Sequence, residues 1–149
     1  MTAFDAYSRE QLRRSYAEAW AKHLAHSPLT PLEAMITAVI GAHPEYHAVV
    51  GDAGTAVAFE PGADAAENPF LHMGLHLAVR DQVAVDRPPG VRDLQRALHA
   101  KYGDLHRAEH ALMEALGETL WQAQRAQRPP DEGQYLELAR RRLEARDGH

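Results

Sequence analysis

The chain has 149 residues, ten histidines, no cysteine and a formal net charge of −5. That length suits one domain with a real core, and 45% hydrophobic with 25% charged residues is a globular balance. Disulfides, thiolate metal ligands and cysteine nucleophiles are excluded, and the acidic balance argues against a nucleic-acid partner. No apolar run reaches the roughly 18 residues a bilayer-spanning helix needs, so no membrane partner is expected. The opening MTAFDAYSREQLRRS has no basic region followed by an apolar one, and the expected location is the cytoplasm.

Strand patterns are nearly absent, while helix starts and stops recur. Ser8 with Gln11 forms a capping-box pattern, and Leu12, Tyr16, Trp20 and Leu24 follow at helical spacing. This predicts a first helix running to about His26. TPLEAMITAVIG places Thr30 as N-cap, Pro31 at the first helical position and Gly41 as terminator. HPEYHAVVG reads as one short helix opened by Pro44. Residues 51–67 show no period and read as a long loop, a candidate cover for a site.

Asn68–Pro69 opens the next helix, which ends before DRPPG at 86–90. VRDLQRALHAKYG is a modest helix. Asp104 caps the longest one, LHRAEHALMEALGETLWQAQRAQ, which stops before Pro129–Pro130. Asp131 with Gln134 starts the last. No repeat or domain boundary is visible. The expected fold is all-α, one bundle of about six or seven helices over residues 1–149.

The chemistry lies in NPFLHMGLHLAVRDQ. At about 100° per residue, Leu75, His76, Val79 and Val83 share a sector of roughly 80°, and His72 falls inside it. Two imidazoles four residues apart project side by side, and burying one without a partner costs on the order of 1–3 kcal/mol. They need two hydrogen-bond acceptors or one cation. The longest helix carries His106, His110, Glu114 and Glu118 at successive steps of four. Each step drifts about 40°, so all four cannot meet one ion, and His110 with Glu114 is the best pair. His47 sits one turn into its short helix. Glu33 is both the capping-box partner of Thr30 and a candidate inward carboxylate. The candidate metal ligands are therefore His72, His76, His110, Glu114, His47 and Glu33. His106, Glu118, His43 and Arg80 are outer or alternative ligands, with His43 also read as a helix cap. Nitrogen with carboxylate and no sulfur suits iron, manganese, zinc, nickel or copper.

The order LEAMITAVIGAHPEYH, NPFLHMGLHLAVRDQVAVDRPPG, AEHALMEALGETLWQAQR resembles a bacterial family of small helical proteins of unknown function, from about Pro28 to Arg142. Two better-understood bundle classes share parts of the site pattern. Hemerythrin-like proteins hold two irons with H-x-x-x-E and H-x-x-x-H pairs, which His110/Glu114 and His72/His76 resemble in reversed chain order. DinB/YfiT-like metalloenzymes use one early histidine with a later H-x-x-x-H, which His47, His72 and His76 resemble.

These resemblances imply a metal-binding bundle. The first expectation is a dinuclear His/Glu site, iron favoured and manganese or zinc allowed, with O2 or peroxide chemistry. The alternatives are a mononuclear three-histidine metalloenzyme and a non-catalytic interaction module with a buried His/Glu network. The partner is a small molecule or O2. No haem is expected and, with no Gly-rich phosphate loop, no nucleotide. The sequence leaves the oligomeric state open and assigns no catalytic residue.

Overall fold

A computed structural model of the chain describes residues 9–51, 56 and 69–145. Among these there are seven α-helices, one short 3-10 helix and no strand. The helices are α1 (Arg9–Leu24), α2 (Pro31–Gly41), α3 (His47–Val50), α4 (Pro69–Val85), α5 (Val91–Tyr102), α6 (Leu105–Ala126) and α7 (Glu132–Glu144), with the 3-10 turn Pro44–Tyr46 before α3. None of them is long and apolar enough to cross a membrane. The fold is all-α, as the periodicity predicts.

The chain divides into two compact units, residues 1–77 and 78–149, with the division inside α4. In the first unit, α1 turns Tyr16, Ala17, Ala19 and Trp20 inward, the i, i+1, i+3, i+4 pattern of one helix face. They share a core with Ile36, Val39 and Ile40 of α2, Val50 of α3, and Phe70 and Met73 of α4. Tyr16 stacks on Phe70 at 5.8 Å, and the buried Arg13 lays its guanidinium 4.7 Å over the same ring. Ile40 and Val50 are fully buried, so truncating Ile40 to alanine costs about 2–5 kcal/mol.

α2 opens with a complete capping box. Thr30 accepts from the Glu33 amide, and the Glu33 carboxylate accepts from the Thr30 amide at 2.9 Å. It closes because proline follows His43. A proline disfavours helical backbone in the residue before it, and His43 adopts φ −129°, ψ 73°. The single short helix expected at 44–50 is thus a 3-10 turn followed by one turn of α-helix.

In the second unit, α5, α6 and α7 pack pairwise around Val91, Leu94, Leu98, Leu112, Ala115, Tyr135 and Ala139. The helix ends are tied by distant side chains. Gly90, the N-cap of α5, has no side chain to offer. Asp86 replaces it, accepting from the amides of Gly90 at 3.2 Å and Arg92 at 3.0 Å. Arg92 in turn donates to the carbonyls of Val83 and Ala84 at the end of α4. Lys101 donates to the carbonyls of Arg142, Leu143 and Ala145 at the end of α7. Each arrangement satisfies groups that a helix terminus leaves without internal partners. Tyr135 donates its hydroxyl hydrogen to Gln82 at 2.6 Å.

One expectation needs adjustment. α1 stops at Leu24, and His26 takes a left-handed φ of 57°. His23 is exposed and stacked 5.0 Å from Trp20. Trp121 is 55% exposed beneath the Arg125 guanidinium. Ser8, Asn68 and nearly all of the predicted loop at 51–67 lie outside the described residues.

Candidate metal centre

Three imidazoles converge in the first unit. His72 and His76 stand one turn apart on α4, with their Nε2 atoms 3.1 Å from each other. His43 arrives from the segment joining α2 to the 3-10 turn. Its ring centroid lies 5.0 Å from that of His72 and 4.8 Å from that of His76, and those two rings are 4.7 Å apart. One ligand nitrogen from each ring lies within 4.8 Å of the others. The three rings meet edge to face, at 61–76° to one another.

Backbone chemistry fixes the tautomer of His43. Its Nδ1 lies 2.8 Å from the carbonyl oxygen of Val39. A carbonyl only accepts, so Nδ1 carries the hydrogen and Nε2 keeps the lone pair. A histidine that ligates a metal through one nitrogen and donates from the other to a backbone carbonyl is held in the ligand tautomer and orientation. His43 is 5% exposed and His76 fully buried, while His72 is half-buried. Tyr46 lies parallel to His43 at 5.2 Å and edge-on to His72 at 6.1 Å, walling one side. Burial, with the charge of Glu45 second, raises the Tyr46 phenol above its ordinary value, so it remains neutral at pH 7.

A tetrahedral ion with metal–nitrogen bonds of about 2.0–2.1 Å separates its ligand atoms by roughly 3.3–3.4 Å. The 3.1 Å between His72 and His76 is close to that span. The three rings can therefore hold a metal ion with modest adjustment. Without one, the two Nε2 atoms share a single hydrogen, one donating and one accepting.

The family described as a domain of unknown function (DUF1841) matches residues 8–141. The chain belongs to DUF1841. No curated protein and no solved structure matches it. The likeness to hemerythrin-like and DinB/YfiT-like bundles thus rests on ligand spacing alone.

The remaining predicted ligands of this DUF1841 chain are placed as follows. His47 is not in the converging group. Its Nε2–H donates to the carbonyl of Ile40 at 2.9 Å, and its ring lies 4.6 Å from Trp20. His43, read from sequence as a helix cap, makes no side-chain cap bond and joins the cluster instead. Glu33 stays at the surface, taking Lys22 Nζ at 2.8 Å together with the Thr30 amide. The lysine first, then the amide, lowers its carboxyl below the ordinary value.

In the second unit, the half-buried His110 lies 4.2 Å from the exposed His106, ring to ring. Glu114 is exposed and ion-paired with Arg142. Glu118 accepts from Gln122 at 3.1 Å. Arg80 donates to Glu109 at 2.9 Å. Glu109 is 5% exposed. Its partner lies 29 positions away, and no local pattern marks such a pair. Tyr46 is the neighbour of the cluster that sequence reasoning missed. Its position in HPEYH, three residues after His43 and next to His47, was the available signal.

Proposed function

We propose that this protein is a metal-binding helical protein whose centre is one divalent transition ion held by His43, His72 and His76. The observation that carries this reading is the convergence of three imidazoles, two of them buried, with His43 locked by Val39 in the tautomer a ligand needs. A cation accepts all three lone pairs at once.

One ion fits better than two. Glu33 and Glu114, the carboxylates a dinuclear site requires, are engaged by Lys22 and Arg142. Among the described residues no second group of three such ligands converges. A set of imidazoles without carboxylate favours zinc or copper over iron, whose open non-haem sites typically count two histidines and one carboxylate. Three histidines leave coordination positions open. The chemistry such an ion supplies is Lewis-acid polarisation and acidification of bound water. The reading is therefore a mononuclear metalloprotein with hydrolytic or group-transfer capacity, in which Tyr46 and the apolar core limit access of bulk water.

The test is elemental analysis of untagged protein purified without chelator or immobilised metal. Close to one equivalent of zinc, copper or iron in the wild type, lost in both His76→Ala and His43→Ala, supports the reading. Metal-free protein that takes up no added ion overturns it and leaves the hydrogen-bonded histidine network, which the contact between His72 and His76 already satisfies in part.

A further inference from the structure

The second unit carries a cleft of about 310 Å³ lined by Tyr102, Arg107, His110, Ala111, Glu114 and Arg142. We propose that this cleft binds a small oxyanion, the phosphate or carboxylate group of a soluble ligand, between the guanidinium groups of Arg107 and Arg142.

Three observations carry it. First, the walls hold two arginines and one glutamate, a net positive lining in a chain whose total charge is −5. Second, both cations sit on prepared supports. Arg107 holds its guanidinium carbon over the Tyr102 ring, 4.5 Å from the centroid, a cation–π contact that restrains the side chain. The backbone at Arg142 is pinned by Lys101, which donates to the Arg142 carbonyl at 3.0 Å and the Leu143 carbonyl at 2.9 Å. A planar guanidinium held in this way loses less freedom when it grips an oxyanion, and its fork matches two oxygens at once.

Third, the cleft already contains an oxyanion of its own. The Glu114 carboxylate accepts from Arg142 Nη1. The two side chains are 58% and 41% exposed, and an exposed pair of this kind contributes about 0–1 kcal/mol. Glu114 is therefore a weakly held stand-in that an external anion displaces. It holds Arg142 toward the cleft when no ligand is present and competes with the ligand when one arrives.

The competition gives the test its sign. The full chain is titrated with inorganic phosphate, and in parallel with succinate, at ionic strength held constant with chloride. Arginine Nε–H and backbone amide resonances are followed. The expected result is saturable shifts at Arg107, Arg142, Tyr102 and Ala111 with at least one of the two anions. Glu114→Gln removes the competitor and tightens binding severalfold. Arg142→Gln and Arg107→Gln each weaken it about tenfold, the loss of one charge-assisted hydrogen bond. The tighter anion identifies the ligand as phosphorylated or carboxylic. Unsaturable shifts spread over all arginines overturn the proposal. So does a dissociation constant unchanged by Glu114→Gln and Arg142→Gln, provided both variants keep the wild-type melting temperature.

Discussion

The Nδ1 hydrogen of His43 points back at the carbonyl oxygen of Val39, four residues earlier and 2.8 Å away. That bond sets the imidazole in a single tautomer before any ligand arrives. Nitrogen-15 spectra should show His43 Nδ1 protonated both with and without metal. Addition of zinc should move the Nε2 resonances of His43, His72 and His76 and leave that of His47 in place, because His47 Nε2 donates to Ile40. Movement of His47 Nε2 in place of His43 would reverse the ligand assignment.

Metal and stability should be linked. An ion that binds only the folded chain, present at about 100 times its dissociation constant, stabilises it by about 2.7 kcal/mol. For a chain of this size that is a rise of roughly 5–10 °C in Tm. Chelation of the wild type should lower Tm by that amount, and re-addition of the metal should restore it. Calorimetry checks this directly, and a Tm indifferent to chelator would contradict the proposed centre.

Glu33 separates a cap from a ligand. Its bonds to Lys22 and Thr30 assign it to the start of α2. Glu33→Gln should leave metal content unchanged. The pH dependence carries a definite sign. The folded-state value is lowered, so the contribution of the carboxylate is fully present above the ordinary glutamate range and fades as pH falls through the lowered value. Denaturant melts at descending pH should show a shallower acid loss in Glu33→Gln than in wild type. Thr30→Ala, which removes the hydroxyl half of the box, should cost about 1 kcal/mol.

The alkaline limb is governed by buried phenols. Burial pushes Tyr16 from the ordinary 10.0 up to about 12 and raises Tyr135 as well. A folded-state value above the unfolded one means that the native chain holds the hydrogen longer. Stability from Tyr16 is thus complete below pH 10 and is lost as pH climbs from 10 through 12. The loss is on the order of 2 kcal/mol. Tyr16→Phe keeps the stack on Phe70 and should flatten this limb in denaturant melts at alkaline pH. An unchanged slope would mean that Tyr16 ionises without unfolding the core.

How much of this was legible beforehand depends on the range of the interaction that decides each residue. Helices were legible because their signals are local: Thr30 with Glu33, Asp104 and Asp131 all cap where the pattern put them. His72 and His76 were legible for the same reason, since a spacing of four fixes two side chains on one face. The choice between His43 and His47 was not. It depends on Pro44 forcing His43 out of helix and on which α2 carbonyl each ring reaches. The burial of Glu109 depends on Arg80, and the cap of α5 on Asp86 rather than Gly90. Composition near those positions gives no hint of either partner.

Val39 and Ile40 are neighbours in the last turn of α2, and their carbonyls hold the two HPEYH rings, one within the cluster and one against Trp20. Successive carbonyls in a helix differ by about 100° around the axis. One residue inserted or deleted near Ala38 would swing both acceptors by that angle and release both rings together. Substitutions on the outer face of α2, such as Ala38 itself, leave those carbonyls in phase. The outer face of this segment therefore tolerates substitution, while its buried face and its length do not.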